Sequence, residues 1–256
     1  MRTLILAVLA CLAPLLARAE GWEYAVAPYA WLPAISLDSS RTRDSSGLVD
    51  GSRLDVEPSN YLKALDFALM LAADMRKDDW VVQGDLIYLK FGTDDRGVDF
   101  LRPDTGPIAG DYRAGLEGAI IALAGGRTLV RTANYYFDGL VGMRRVAMSL
   151  DVAGDLDSGG SIDLESDIDV HDAYVAGSGR YAFGEGDRWS LRYYADLGTG
   201  ESDLTWQASL GLGYGFGWGD LFVNYRHLEY DFGDVRRFDD LKASFSGPSI
   251  GGIFHF

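Results

Sequence analysis

The segment Thr205-Trp206-Gln207-Ala208-Ser209-Leu210-Gly211-Leu212-Gly213-Tyr214 decides the fold, because its side chains alternate with a period of two. One face carries Trp, Ala, Leu, Leu and Tyr, whereas the other carries Thr, Gln, Ser and two Gly. A period of two is that of a β-strand whose faces meet different surroundings. The segment also has about the ten residues that a tilted strand needs to cross a bilayer. It therefore predicts a strand of membrane-crossing length with one apolar face.

The same alternation recurs along the chain. In residues 189–197, for example, an apolar row opposes Ser190, Arg192 and Asp196. The pattern predicts ten strands, at residues 22–31, 66–76, 79–90, 116–127, 135–147, 170–182, 188–198, 204–216, 218–230 and 243–256. Short turns alternate with long polar segments, which are residues 32–65, 91–115, 148–169 and 231–241. The predicted fold class is all-β: a transmembrane antiparallel up-and-down β-barrel of about ten strands, with eight or twelve as alternatives.

The first nineteen residues have the features of a secretory signal peptide. Arg2 provides a positive charge, residues 4–16 are largely apolar, and Ala17-Arg18-Ala19 fits an A-x-A cleavage site. We therefore expect a signal peptide at residues 1–19 and one barrel domain at residues 20–256. The single cysteine, Cys11, lies in the apolar run, and a lipid anchor at Cys11 is the alternative.

The chain is strongly acidic, with a formal net charge of −15 at pH 7. Such a charge repels nucleic acid, so we expect no nucleic-acid partner. It is compatible with membrane residence where the ions lie in loops and in a water-filled lumen.

Three features favour a membrane barrel over a soluble barrel or sandwich, which would alternate in the same way. Ions of both signs occupy the middle of the polar rows, which suits a wet lumen. Aromatic residues lie near the strand ends, as in interfacial girdles. The C-terminal strand carries Ile250, Phe254 and Phe256 on one face. We expect it to close the barrel and to be recognised by the barrel-assembly machinery, with outer-membrane lipid and lipopolysaccharide as the other partners.

Several short motifs resemble those of small Gram-negative outer-membrane β-barrel proteins, in particular a largely uncharacterised proteobacterial group. They are Pro28-Tyr29-Ala30-Trp31-Leu32-Pro33, Leu65-Asp66-Phe67-Ala68-Leu69-Met70, Asp85-Leu86-Ile87-Tyr88-Leu89 and Tyr225-Arg226-His227-Leu228-Glu229-Tyr230-Asp231-Phe232. The resemblance implies a barrel located in the bacterial outer membrane. It supplies no catalytic residues.

The polar rows predict a set of charged residues that line the lumen: Asp74, Asp85, Asp138, Arg144, Arg180, Arg192, Asp196 and Arg226. A wider set on the less apolar faces adds Asp66, Glu117, Asp172, Arg76 and Arg127, with Glu117 and Arg127 on a strand whose faces are nearly alike. Because the signs nearly balance, two interpretations stay open. The ions either pair and hold a closed interior together, or they set the selectivity of a narrow pore.

An acidic segment at residues 149–169 predicts a hairpin that extends beyond the membrane and turns at Ser158-Gly159-Gly160. These clustered carboxylates are typical of a solvated acidic loop, and binding of Ca²⁺ is the alternative. The candidate ligands are Asp155, Asp157, Asp163, Glu165 and Asp167. No other cofactor is expected.

The three histidines could serve an enzyme at the membrane rim only with acid or serine partners. The candidate pairs are His171 with Asp169 and His227 with Glu229, whereas His255 lies in the last strand. We predict a non-enzymatic outer-membrane protein with a structural or surface-interaction role. A porin-like channel for small polar solutes is the alternative, and an outer-membrane hydrolase is the third hypothesis.

Overall fold

The computed structural model describes residues 21–40, 51–92, 110–156, 160–233 and 239–256. The predicted signal peptide lies outside this part of the chain. The twelve strands found there are β1 (Glu23–Trp31), β2 (Ala34–Ser40), β3 (Gly51–Val56), β4 (Leu65–Lys77), β5 (Trp80–Gly92), β6 (Gly110–Arg131), β7 (Tyr135–Leu156), β8 (Gly160–Phe183), β9 (Trp189–Gly200), β10 (Leu204–Phe216), β11 (Gly219–Asp231) and β12 (Asp239–His255). A short helix α1 (Pro58–Tyr61) and the 3₁₀ turns Leu62–Ala64 and Glu185–Asp187 complete the described elements. None of the helices in these ranges is long and apolar enough to cross a membrane.

Ten of the strands form a closed antiparallel barrel in the order β1-β4-β5-β6-β7-β8-β9-β10-β11-β12. Pairing of β1 with β12 closes the ring, with Val26 opposite Phe254 and Ala30 opposite Ile250. Closure leaves no unpaired edge in the ring. The predicted all-β up-and-down barrel of ten strands is therefore confirmed.

The outer surface of the barrel carries the apolar rows. Leu123, Val141, Met143 and Ile250 are each at least 60% exposed, as few soluble proteins would allow over a continuous band. At the end where the short turns lie, stacked or edge-on rings link Trp189, Tyr214, Phe216, Trp218 and Phe254 in a row. An apolar band bounded by aromatic residues is the surface of a membrane barrel, and it excludes the soluble alternative.

Strands β6, β7 and β8 are longer than predicted, with 22, 22 and 24 residues. The pairing of β7 with β8 continues to Leu156 opposite Gly160. The predicted hairpin extension is thus present, although Ser158 and Gly159 of its predicted turn lie outside the described residues. Among the described side chains of this extension, Asp151, Glu165, Asp167 and Asp169 are exposed acids.

The prediction that residues 32–65 form one polar loop is wrong. They contain the hairpin β2–β3, and β2 pairs with the outer part of β12, where Ala243 lies opposite Leu37. At Gly247 of β12 an added Cβ would lie 2.2 Å from the carbonyl oxygen of Leu32. The missing side chain therefore lets the chain leave β1 and run close against β12.

Candidate functional site

The lumen is the candidate site, and the structure places all eight predicted lumen residues inside it. Asp74, Asp85, Arg144, Arg180, Arg192 and Arg226 line an internal cavity. Asp138 and Asp196 are buried and pair with inward-facing arginines.

The wider set divides between the two surfaces of the barrel. Arg76 and Asp172 lie inside, whereas Asp66 is exposed. Glu117 and Arg127 are also exposed, where they pair with Lys90 and Asp79. These two belong to β6, whose outward row includes the exposed Ile121 and Leu123. The inward assignment of Glu117 and Arg127 is therefore wrong.

A first ionic cluster lies toward the end of the barrel that carries the termini. The Arg76 guanidinium donates from Nε to Oδ1 of Asp74 over 2.7 Å and from Nη2 to Oδ2 of Asp138 over 2.8 Å. The Thr128 hydroxyl also donates to Asp138 over 2.8 Å, and Arg76 lies 4.3 Å from the ring centre of Tyr136. Both carboxylate oxygens of the fully buried Asp138 thus accept a hydrogen bond, as a buried carboxylate requires.

A second cluster crosses the middle of the lumen. Arg226 of β11 forms a 2.8 Å ion pair with Asp85 of β5, a strand nearly opposite in the ring. It also donates to Oε1 of Gln207 over 2.6 Å, while the Tyr29 hydroxyl donates to Asp85 over 2.6 Å. These bonds join the neighbouring strands β10 and β11 to β5 and β1 across the lumen at mid-height.

Arg144 is the most enclosed ion of the interior. Its guanidinium, 1% exposed, pairs with the carboxylate of Asp196, which is fully buried. It also donates to the Thr205 hydroxyl over 3.2 Å and lies 4.9 Å from the ring centre of Tyr174. Removal of either charge would leave the other buried without compensation.

An apolar layer lies inside the barrel on the side of the long outer connections. It consists of side chains from β1, β4, β5, β7 and β11 that are at most 8% exposed: Trp31, Met70, Ile87, Val146, Leu228 and Tyr230. Phe245 and Ile120 pack against it. We refer to these six residues as the apolar layer. Its members come from five of the ten strands of the ring, whereas the buried polar residues Asp172, Ser202 and Thr205 lie on the side of β8, β9 and β10.

A cavity of about 560 Å³ lies on the other side of the apolar layer. Small side chains of β1, β4 and β6 line one wall, at Ala25, Ala27, Ala72 and Ala122. The lining reaches Glu23 and His255, which are exposed at the end that carries the termini. In an up-and-down barrel with short turns at this end, that mouth faces the periplasm.

The extended part of β7 and β8 carries the acidic surface. Glu165, Asp167 and Asp169 are exposed at alternate positions of β8. Arg145 donates to both oxygens of Asp169, over 2.8 and 2.7 Å, and its guanidinium holds the pKa of that carboxyl below its ordinary value. Of the other candidate calcium ligands, Asp157 lies outside the described residues. Within the described ranges no three acidic, His or Cys residues come together as a metal site, so Ca²⁺ binding stays a prediction.

Two histidines face outward above the apolar band. The ring of His171 lies 3.2 Å from Glu201 and 3.8 Å from Asp169. His227 lies 2.5 Å from the Ser246 hydroxyl through Nδ1, and 3.7 Å from Glu229 through Nε2. Sequence reasoning missed Ser246 because only the β11–β12 register brings it opposite His227.

Ser246 lacks the surroundings of an acyl-transfer nucleophile. Its strand is paired on both sides at this point, with His227 on one side and Ala34 on the other. The two ladders use the backbone N–H groups that would otherwise stabilise an oxyanion. The contact is thus a polar bond on the outer surface of this part of the sheet.

No protein-family model and no curated protein matches the chain. Solved structures do match: the outer-membrane protease OmpT of Escherichia coli has a TM-score of 0.53 and 13% identity, over 92% of this chain and 97% of that chain. The toluene transporter TodX of Pseudomonas putida (TM-score 0.37, 11% identity, 95% of this chain and 91% of that chain) and the attachment invasion locus protein Ail of Yersinia pestis (0.35, 11%, 92% and 100%) are also similar. At such identities the likeness concerns the fold alone. The chain has the fold of small Gram-negative outer-membrane β-barrels, as predicted, and its apolar band suits the predicted location in the outer membrane.

Proposed function

We propose that this outer-membrane barrel is a non-enzymatic surface-interaction protein whose lumen does not conduct solutes. The apolar layer is the observation that carries the proposal. Ions that entered from the periplasmic cavity would have to lose much of their hydration beside Trp31, Leu228 and Tyr230, which are each at most 2% exposed. Ten strands also leave little free cross-section once inward side chains fill it.

Planar-bilayer recording separates this proposal from the porin-like alternative. We expect the folded protein to give no stepwise conductance. A complementary test places a cysteine at Ser209, which lines the cavity, and treats it with a charged thiol reagent. In sealed vesicles of known orientation we expect labelling from the side that carries the termini and none from the opposite side. Regular conductance steps in the wild-type protein would overturn the proposal.

The extended acidic sheet supports the surface role. Exposed carboxylates on β8 project beyond the apolar band, where water or a binding partner, rather than lipid, would be the neighbour. We infer that the partner is a cationic surface. Replacing Glu165 and Asp167 by Gln and Asn should weaken binding to a poly-lysine-coated sensor at low salt, whereas the same changes at Asp78 and Asp79, on the opposite end, should not. Equal binding of both variants would contradict this role.

The hydrolase hypothesis has one observation in its favour, the bond between His227 and Ser246. It can be tested with a short-chain p-nitrophenyl ester and the protein in neutral detergent. We expect no turnover above the detergent blank. Turnover that disappears in the Ser246→Ala variant, with the barrel still folded, would establish the enzyme instead.

A further inference from the structure

We propose that the periplasmic cavity binds a small oxyanion, a carboxylate or phosphate group of a water-soluble ligand, through Arg180 and Arg192. Both residues line the cavity. They lie directly opposite each other in the register of β8 and β9. The proposal goes beyond the surface role described above and does not depend on it.

Like charges directly opposite on neighbouring strands are unfavourable. The repulsion is relieved where an anion lies between the two groups, and two guanidinium forks suit the oxygens of a carboxylate or phosphate. The two facing guanidinium groups are therefore placed to bind one anion between them.

Three of the four carboxylates that line the cavity, Asp74, Asp85 and Asp220, pair with arginines, whereas Glu23 is exposed at the mouth. Asp74 and Asp138 pair with Arg76, and Asp220 pairs with Nη2 of Arg192 over 2.5 Å. Among the described residues, Arg180 has no ion-pair or hydrogen-bond partner, and its buried Nε is unsatisfied. The Nε of Arg192 is likewise buried without a partner. Among the arginines described in the lining of this cavity, Arg180 is thus the one without a carboxylate partner.

The cavity is suited to a ligand of metabolite size. Its volume of about 560 Å³ lies within the common range of small-molecule sites. The alanines of one wall leave the space open, and the inward-facing Tyr136, which lies opposite Arg180 in the β7–β8 register, provides an aromatic neighbour. The mouth lies inside the ring of strands, so a solute reaches it more readily than a lipid headgroup does.

The test is isothermal titration of the whole barrel, in neutral detergent, with inorganic phosphate and with citrate. We expect saturable binding of at least one of these anions at millimolar concentration or below. Arg180→Gln should weaken it at least tenfold, and Arg180→Lys should retain part of the affinity because the charge remains. The matched control is Arg127→Gln, an arginine on the outer surface that should leave binding unchanged.

Each outcome decides the proposal. Heat-modifiable mobility in gels shows that the variants fold, so loss of binding in a folded Arg180→Gln protein supports the site. No saturable heat with either anion, or equal affinity in the Arg180→Gln variant, would overturn it. Displacement of a phospholipid retained through purification, with no binding of the free anions, would assign the oxyanion to a lipid headgroup and overturn a water-soluble ligand.

Discussion

The part of the lumen near the periplasmic mouth and the part near the outer connections are formed by the same strands, yet the first is lined by polar side chains and the second by apolar ones. On β5, the inward positions change from Gln83 and Asp85 to Ile87 within one further step of the alternation. On β11, Arg226 is followed at the next inward position by Leu228. The lumen is therefore not uniformly polar. Its periplasmic half surrounds a cavity with charged side chains, whereas its outer half contains the packed apolar layer.

The largest effect should follow the loss of a charge partner in the polar half. Asp196→Ala leaves Arg144 buried without compensation, and we expect the free energy of unfolding to fall by about 3–5 kcal/mol. Urea unfolding in detergent, followed by tryptophan fluorescence, measures it. The control Asp79→Ala removes an exposed partner, of Arg127, and should change stability by less than about 1 kcal/mol. Similar losses in the two variants would mean that water reaches Arg144.

In the apolar half, Leu228→Ala should leave a void where the side chain is fully buried. We expect a loss of about 2–5 kcal/mol, measured by the same urea unfolding. Leu210→Ala, on the outward face, is the matched control and should cost less because no packed cavity forms. If a double variant with Trp31→Ala then conducts in planar bilayers while the wild type does not, the apolar layer is the barrier. A silent folded double variant would place the barrier elsewhere.

The smallest effect concerns the outer surface, at the Arg145–Asp169 pair. Because Arg145 lowers the pKa of Asp169, the folded state binds its proton less readily than the unfolded chain does. The pair contributes to the free energy of unfolding above the ordinary pKa of an aspartate, and this contribution is lost as the pH falls below about 4. The urea midpoint of the wild type should therefore approach that of Arg145→Gln in this range. A difference that stays constant from pH 7 to pH 3 would contradict the pairing.

The comparison also shows why part of the interior could be predicted. Arg226, Asp85 and Arg144 were placed in the lumen because period-two alternation puts them opposite the apolar rows. Met70, Ile87 and Leu228 belong to the same inward rows near their outer ends, and this signal could have indicated the apolar layer. Glu117 and Arg127 were misplaced because both faces of their strand are nearly equally apolar.

The sequence by itself determined the barrel, its ten strands and the side that meets lipid. The reason is that a strand between lipid and lumen alternates apolar and polar side chains, and this alternation can be read within each stretch of about ten residues. Only the tertiary structure decided which inward residues meet, such as Arg226 with Asp85, that Ser246 touches His227, and that Arg180 is left without a carboxylate. These depend on strand register and ring closure, which bring together residues far apart in the chain.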